Sequence, residues 1–401
     1  MAGRGATPFN TYDLKLLLPV LILVGVGIVM VYSASSAVAL KKIGTDYYYL
    51  RRQAIFTFCG IAVLMICRHV PYKIYRPAAY VLLGGSLLLL TAVQVTGLGV
   101  TVGGATRWLG LGGFTFQPAE LARLALIIYL AFSLSRKADR IEIFSVGFLP
   151  HAIILGALSA LILLQPDFGS VAILCALTWI MMYLAGVKLL HLLSPLPLLL
   201  PAAWFVMIQE AYRLRRLTSF WDPWQYAADE GYQIVHSLMA FGTGGIWGTG
   251  IGKGYQKLFY LPEPHTDFIF SVIGEELGLI GVTVILGLYG MILWRGVIIA
   301  RRAPDAFSGY LAMGITVSLS LQITVNMGVS LGLLPTKGLP LPLLSYGGTS
   351  LLMSMAAVGI LLNISAHCPP PRSSRIFRRS PVPVKSAGAR RPNKSYRKRA
   401  A

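Results

Sequence analysis

The sequence predicts an all-α polytopic membrane protein, a bundle of about ten transmembrane helices with one large extracytoplasmic loop between helices 7 and 8. Three observations carry that prediction. Hydrophobic residues make up 55% of the chain and charged residues 12%, with a mean hydropathy of +0.67, which is far more apolar than a soluble domain of this length. The apolar residues gather into runs near the ~20 residues that a helix needs to cross about 30 Å of hydrocarbon. The runs are joined by short connections except for one, residues 209–267.

The ten runs lie near 14–36, 53–67, 77–96, 118–134, 147–164, 169–187, 189–208, 268–294, 307–331 and 343–366, giving a membrane domain over 14–366. The first follows a polar lead, 1–13, with no small-residue cleavage motif after Ser36, so it reads as a retained helix and not a signal peptide. The second is the shortest and is flanked by Lys and Arg. Loop 209–267 follows the seventh run and holds Trp221, Trp224, Tyr226, Tyr232, Trp247, Tyr255, Phe259 and Tyr260. That is too aromatic for simple disorder, so the loop is expected to fold against the mouth of the bundle and to include short interfacial helices. Between the ninth and tenth runs, GLLPTKGLPLPLLSYGGTS is interrupted by prolines and glycines that preclude regular helix, and it reads as a rigid re-entrant plug.

An even number of spans puts both termini on one side. Short basic loops around Arg68, Lys73, Arg76, Arg136, Lys137, Arg140, Arg295, Arg301 and Arg302 favour a cytoplasmic location for that side, although Lys41, Lys42, Arg51 and Arg52 count against it. The end of the chain decides the matter. Residues 367–401 are rich in Pro, Ser, Arg and Lys, a disordered composition that stays in the cytoplasm and carries much of the net charge of +20. Its plainest role is attraction to anionic lipid heads, worth ~1 kcal/mol per base near the surface. It lacks the aromatic platforms that read bases, which argues against a nucleic-acid partner, and its deletion is expected to leave any core chemistry intact. Cys59, Cys67, Cys175 and Cys368 have no metal-type spacing and read as small packing residues.

Ionisable residues in or at the mouth of a span are costly, by roughly 2.5–3.5 kcal/mol each on insertion scales, and therefore mark candidate chemistry. LPEPHTDFIFSVIGEELG, from Leu261 to Gly278, brings Glu263, His265 and Asp267 to the mouth of the eighth run and Glu275 and Glu276 into it. Asp267 and Thr266 are each good helix N-caps, and Asp267 at a wet–apolar boundary is equally suited to proton transfer. The loop GGATRWLGLGGFTFQPAELAR supplies Arg107 and Trp108, then Glu120 and Arg123 at an i, i+3 spacing that fits either a structural ion pair or a polar ligand. Asp167 in QPDFGS is placed to cap the sixth helix. Lys337 lies in the plug. The glycine-rich GTGGIWGTGIGKG, Gly242 to Gly254, fits tight turns and close helix contacts, with anion binding as the alternative; it lacks the Lys-Ser/Thr ending and the preceding strand of a nucleotide P-loop.

GATRW…FQPAELARL, QPDFGS, LPEPHTDFIFSVIGEELG and LPLPLLSYGGTS, in this order, together resemble the SEDS membrane proteins of bacterial cell-wall synthesis, over essentially all ten spans. The KGLPLP of Lys337 to Pro342 is more similar to the division branch than to the rod-elongation branch, where a threonine, glycine and isoleucine are expected ahead of the LP. The resemblance implies an inner-membrane peptidoglycan glycosyltransferase, with its site on the outer face, that polymerises lipid II. It also implies a class B penicillin-binding protein transpeptidase as partner, alongside other division proteins.

In the reaction so implied, the 4-hydroxyl of lipid II attacks the anomeric carbon of a glycan chain linked to undecaprenyl diphosphate. Diphosphate is a good leaving group, so one carboxylate base suffices, unlike glycoside hydrolysis with its two carboxyl groups. The resemblance assigns that base to Asp267. Arg107 and Arg123 are then candidates to hold diphosphate oxygens, with Lys337 as a further point charge. Trp108 is suited to stacking on a sugar or to anchoring at the lipid interface. His265 is suited to orienting Asp267 or to finishing the turn. Either Glu275 or Glu276, but not both, is expected to line the cavity. A divalent cation, Mg or Mn, is chemically sensible with a diphosphate, yet no ligand cluster demands one. Two other readings fit ten spans with intramembrane charge: a transporter that flips lipid II without making a bond, and a non-catalytic scaffold for division proteins.

Overall fold

The protein is seen here as a computed structural model that describes residues 12–102, 105–111, 114–197, 201, 204, 219–229, 231–258 and 261–369. The basic tail from 370 onward, the lead 1–11, Phe259 and Tyr260 and most of the second half of the seventh run lie outside the described residues.

Among the described residues, eight helices are long and apolar enough to cross a membrane. They are α1 (Leu14–Ile43), α2 (Tyr48–His69), α3 (Tyr75–Val95), α4 (Pro118–Arg136), α5 (Leu149–Leu163, entered through a π-helical turn at Phe144–Phe148), α9 (Ile269–Arg302), α10 (Ala306–Ser330) and α11 (Gly348–His367). A shorter apolar helix, α6 (Phe168–Leu184), stands where the sixth run was expected. The described start of the seventh run is α7 (Leu189–Leu193), and the outer loop contributes α8 (Tyr232–Gly244). The second run, the shortest in hydropathy, extends to a 22-residue helix because Tyr48–Arg52 and Arg68–His69 continue it at both ends.

Helix starts follow from local capping chemistry. Asp13 accepts from the Lys15 amide at α1, Asp167 accepts from the Ser170 amide and hydroxyl at α6, and Asp305 forms a capping box with Ser308 at α10. α4 has proline at its first turn, where no amide donor is needed. The bundle packs α4 against α3 and α10, α11 against α2, and α9 against α1, α8 and α10. Residues of α4, α10 and α11 are buried over most of their length and form the centre; α2 and α3 present one side outward. At the α9 C-terminal end, polar ties staple the elements together. Arg295 pairs with Asp13, Arg76 with Asp305 at 2.7 Å, and the Asn363 side chain donates to the Arg68 carbonyl at 2.7 Å.

Two features depart from a plain helical bundle. The connection between α3 and α4 is an antiparallel sheet of three short strands, β1 (Gly99–Val102), β2 (Ala105–Leu111) and β3 (Phe114–Phe116), in the order β1-β2-β3. β-branched and aromatic residues set off by Gly103-Gly104 and Gly112-Gly113 carry this signal in the sequence. The second feature is a break in α9 at Gly278 (φ 64°, ψ −165°). The freed backbone groups are met by the glycine-rich loop: Thr249 and Gly250 amides donate to the Glu275 and Glu276 carbonyls at 3.0 Å, and the Leu279 amide donates to Gly245 at 2.9 Å. A Cβ at Gly278 would lie 2.4 Å from the Gly248 nitrogen, and one at Gly248 would lie 2.2 Å from the Glu276 oxygen, so only glycine permits this backbone contact. Gly244, Gly248 and Gly254 of this loop are thus spent on helix contact, the first of the two roles expected for the loop.

Candidate active site

Four chain segments meet around Asp267, at the α9 N-terminal mouth. The non-helical segment 331–347 between α10 and α11 folds back into the bundle with Leu339, Leu341, Leu343 and Leu344 buried. It is held there by the Tyr289 hydroxyl, which donates to the Pro342 carbonyl at 2.5 Å, and by Asn326, which donates to the Leu339 carbonyl at 2.6 Å. Irregular backbone at membrane depth is stable only when buried in protein in this way. The plug brings Gly338 against Asp267, so that a Cβ at 338 would lie 2.8 Å from Asp267 Oδ2. It also lays the Lys337 side chain over Gly169, where a Cβ would meet Lys337 Cδ at 3.0 Å and Asp167 Oδ1 at 3.5 Å. Lys337 therefore lies beside the N-terminus of α6.

Arg107 enters from the sheet. β1 and β2 pair Thr101 with Thr106 and Val100 with Trp108, so Arg107 is the extra residue of a β-bulge, a device that re-aims a side chain. Its Nε donates to the Gln165 carbonyl at 3.1 Å and its Nη2 to the Pro166 carbonyl at 2.5 Å. The QPDFGS turn thus fixes the guanidinium with two carbonyls while Asp167 caps α6. Trp108, the next residue, is half-buried.

Asp267 itself is half-buried, and its carboxylate accepts no hydrogen bond from a described residue; only its carbonyl is engaged, by the Asn326 side-chain nitrogen at 2.8 Å. Burial pushes its pKa up to about 7, the Glu263 carboxylate adds to the rise, and the Arg107 charge opposes it. The helix that follows is capped by neither Asp267 nor Thr266. Its N-cap is Phe268, without a side-chain bond, and the Thr266 hydroxyl donates to the Glu263 carbonyl at 3.2 Å. The capping alternative for both residues is thereby corrected.

His265 is buried in an aromatic cluster, its ring 4.5 Å from Tyr49 and 5.5 Å from Tyr346. Burial lowers its pKa to about 4, so the ring is neutral at physiological pH. Its described contacts tie α2 and the plug to the mouth of α9, and its backbone carbonyl accepts from the Tyr346 amide at 2.9 Å. It finishes the turn, and none of these contacts reaches the Asp267 carboxylate.

Glu120 and Arg123 are both buried on α4 and pair with each other in a bidentate fork. They line a small cavity among α4, α10 and α11 with Ser318, Gln322 and Ser354. The expectation that one of Glu275 and Glu276 lines the cavity and the other finds a partner is corrected, because both are consumed. Glu275 accepts from the Tyr255 and Gln256 amides at 2.7 and 3.1 Å, and Glu276 accepts from Ser33 Oγ at 2.7 Å, Lys257 Nζ at 2.5 Å and the Gly252 amide at 3.1 Å. A fully buried carboxylate requires such donors, and the loop supplies them. Sequence reasoning missed Lys257, Asn326 and Gly338. Lys257 sits in a loop with no periodicity to mark it, Asn326 is one polar residue on an apolar helix, and Gly338 is one glycine among many.

The chain matches the FtsW/RodA/SpoVE family profile, described as "Cell cycle protein", over residues 14–369. It is 49% identical over 355 residues to a probable peptidoglycan glycosyltransferase FtsW of Trichlorobacter lovleyi, covering 88% of this chain and 93% of that one. It is 39% identical to the stage V sporulation protein E of Bacillus subtilis, covering 88% and 97%. Among solved structures it is similar to one described as "Structural coordination of polymerization and crosslinking by a peptidoglycan synthase complex" (TM-score 0.72, 32% identity, 89% of this chain and 98% of that one). It is also similar to the rod shape determining protein RodA of Thermus thermophilus (TM-score 0.67, 29% identity, 90% and 99%). A family match over nearly all of the membrane domain, with relatives this close, makes this multi-pass membrane protein a member of the SEDS family of FtsW, RodA and SpoVE.

Proposed function

We propose that this protein is an FtsW-like peptidoglycan glycosyltransferase that polymerises lipid II during septal wall synthesis, with Asp267 as the general base. The observation that carries the proposal is the state of that carboxylate: half-buried, unbonded among the described residues, and with a pKa pushed up to about 7. A base poised near the working pH is the one most effective in proton transfer, typically worth about 10²–10⁴-fold.

The oxygen of the lipid II 4-hydroxyl attacks the anomeric carbon of the growing strand and gives its proton to Asp267. The bond from that carbon to the diphosphate breaks, and its electron pair leaves with undecaprenyl diphosphate. Arg107 is suited to the leaving group because Nε and Nη2 are anchored on carbonyls while Nη1 has no partner among the described residues. Lys337 lies over the α6 N-terminus, where positive charge and a helix end both favour an anion. Among the described residues no group of three or more His, Cys, Asp or Glu side chains is placed to hold a metal ion; an Mg or Mn ion would come with the substrate diphosphate. The similar synthase-complex structure, which couples polymerization to crosslinking, supports a crosslinking partner of the class B penicillin-binding kind, and the basic loops and tail support cytoplasmic termini with Asp267 on the outer face.

The test uses the full-length protein with its class B partner and purified lipid II. Wild type is expected to make glycan strands, and Asp267→Asn and Asp267→Ala to fold but make none. Polymer formed by Asp267→Ala at the normal rate would sink the assignment of the base. Movement of lipid II across vesicles by the wild type without polymer would favour a transporter instead.

A further inference from the structure

We infer that Asn326 is a positioning residue for the polymerisation site, a carboxamide clamp that sets the distance between Asp267 and the Lys337–Gly338 segment. This rests on the reading of Asp267 as the base. Asn326 lies on α10, buried, and touches neither the Asp267 carboxylate nor Lys337 in any described contact. Its side-chain nitrogen donates to the Asp267 carbonyl at 2.8 Å and to the Leu339 carbonyl at 2.6 Å.

One nitrogen therefore bridges two peptides that are far apart in sequence, one bearing the carboxylate and the other immediately following Lys337 and Gly338. Asn326 Oδ1 is buried with no hydrogen-bond partner among the described residues. The amide orientation follows from these contacts, because exchanging oxygen and nitrogen would set an acceptor against two carbonyls. Both of its hydrogens are committed to the bridge, and the unpartnered oxygen is a cost accepted in a buried place for that geometry.

The bridge has a steric counterpart on the other side of the carboxylate. A Cβ at Gly338 would lie 2.8 Å from Asp267 Oδ2, so a methyl there displaces the carboxylate tip. The carboxylate is thus held through its own backbone by Asn326 and met at its tip by the plug backbone that Asn326 also holds. Loss of the clamp lets the two segments separate, and an added methyl at 338 turns the carboxylate tip away from its place. Either change alters how the carboxylate faces Arg107 and Glu263, the two charges that act on its pKa in opposite directions. A displacement of about 1 Å in a reacting group is enough to cost about 10²-fold in rate.

The test compares Asn326→Leu, which keeps the side-chain size and removes both donors, with Gly338→Ala, in full-length protein with its class B partner. The readouts are kcat and KM for lipid II, the pH profile of kcat/KM, and thermal unfolding; Asp267→Ala is run alongside. Both variants are expected to lower kcat by about 10²-fold with KM within about twofold, and to move the acidic limb of the profile by about one pH unit, the scale on which nearby charges shift a carboxylate. A folded Asn326→Leu with normal kcat and an unmoved limb overturns the proposal. So does a fall in kcat that tracks lost thermal stability and leaves the limb in place, since that is the mark of a structural role alone. If Asn326→Leu does not fold, Gly338→Ala decides by the same criteria. Polymerisation by Asp267→Ala overturns the base itself, a result separate from either variant.

Discussion

The pH dependence of polymerisation follows directly from the surroundings of Asp267. Its pKa of about 7 leaves about a tenth of the carboxylate ionised at pH 6 and about nine-tenths at pH 8, so kcat/KM for lipid II rises about tenfold over that interval. The charged neighbours supply the sign of each perturbation. Glu263→Gln removes a charge that raises the pKa, and the acidic limb moves to lower pH; Arg107→Gln removes one that lowers it, and the limb moves to higher pH.

Stability reports on the same group independently. The folded-state pKa lies above the 3.8 of an ordinary aspartate, so wild-type stability is fully present below pH ~4 and declines as pH rises toward ~7. Asp267→Asn removes that decline. The gain at pH 8 has an upper bound of ~4 kcal/mol, reduced by the solvent contact of a half-buried side chain. The assay is lipid II polymerisation by the full-length protein with its partner from pH 5 to 9, with thermal unfolding over the same range. A kcat/KM flat across that range in folded protein, a limb near pH 4, or Glu263→Gln and Arg107→Gln shifting the limb in the same direction would refute the reasoning.

Two further predictions concern the framework. Lys257→Met leaves Glu276 buried with Ser33 and one amide as its remaining donors among the described residues and should destabilise by about 3–5 kcal/mol in thermal unfolding, while Lys257→Met with Glu276→Gln should recover most of that loss. Gly278→Ala sets a Cβ 2.4 Å from the Gly248 nitrogen at a positive φ, and should cost at least ~2 kcal/mol or abolish folding, as read by detergent-solubilised yield and unfolding temperature.

Much of the architecture is legible in the sequence because hydrocarbon is an unforgiving solvent. Every backbone polar group in a span must be bonded within the protein, so length and hydropathy alone delimit the eight long helices and α6. Capping at Asp167 is legible for a similar reason, since its partner is three residues away. The β-sheet before α4 was harder to read, because its strands are short and lie between far stronger apolar signals.

The motifs point to Asp267, Arg107 and Lys337 one by one, yet their sequence positions do not say which charges meet. That is decided by contacts spanning long separations: the bulge at Arg107 closing on Gln165 and Pro166, the plug bringing Gly338 to Asp267, and Asn326 bridging residues 267 and 339. The same holds for Glu275 and Glu276, adjacent in sequence and both expensive to bury, whose cost is met by donors some twenty residues upstream and on α1. Hydropathy and spacing are enough to say that this chain spans the membrane and which charged residues need a reason to be there. Which of those charges are consumed in holding the fold, and that the Asp267 carboxylate has no partner among the described residues, came only from the folded chain, because the energy of a buried charge depends on the donors around it and those come from distant parts of the sequence.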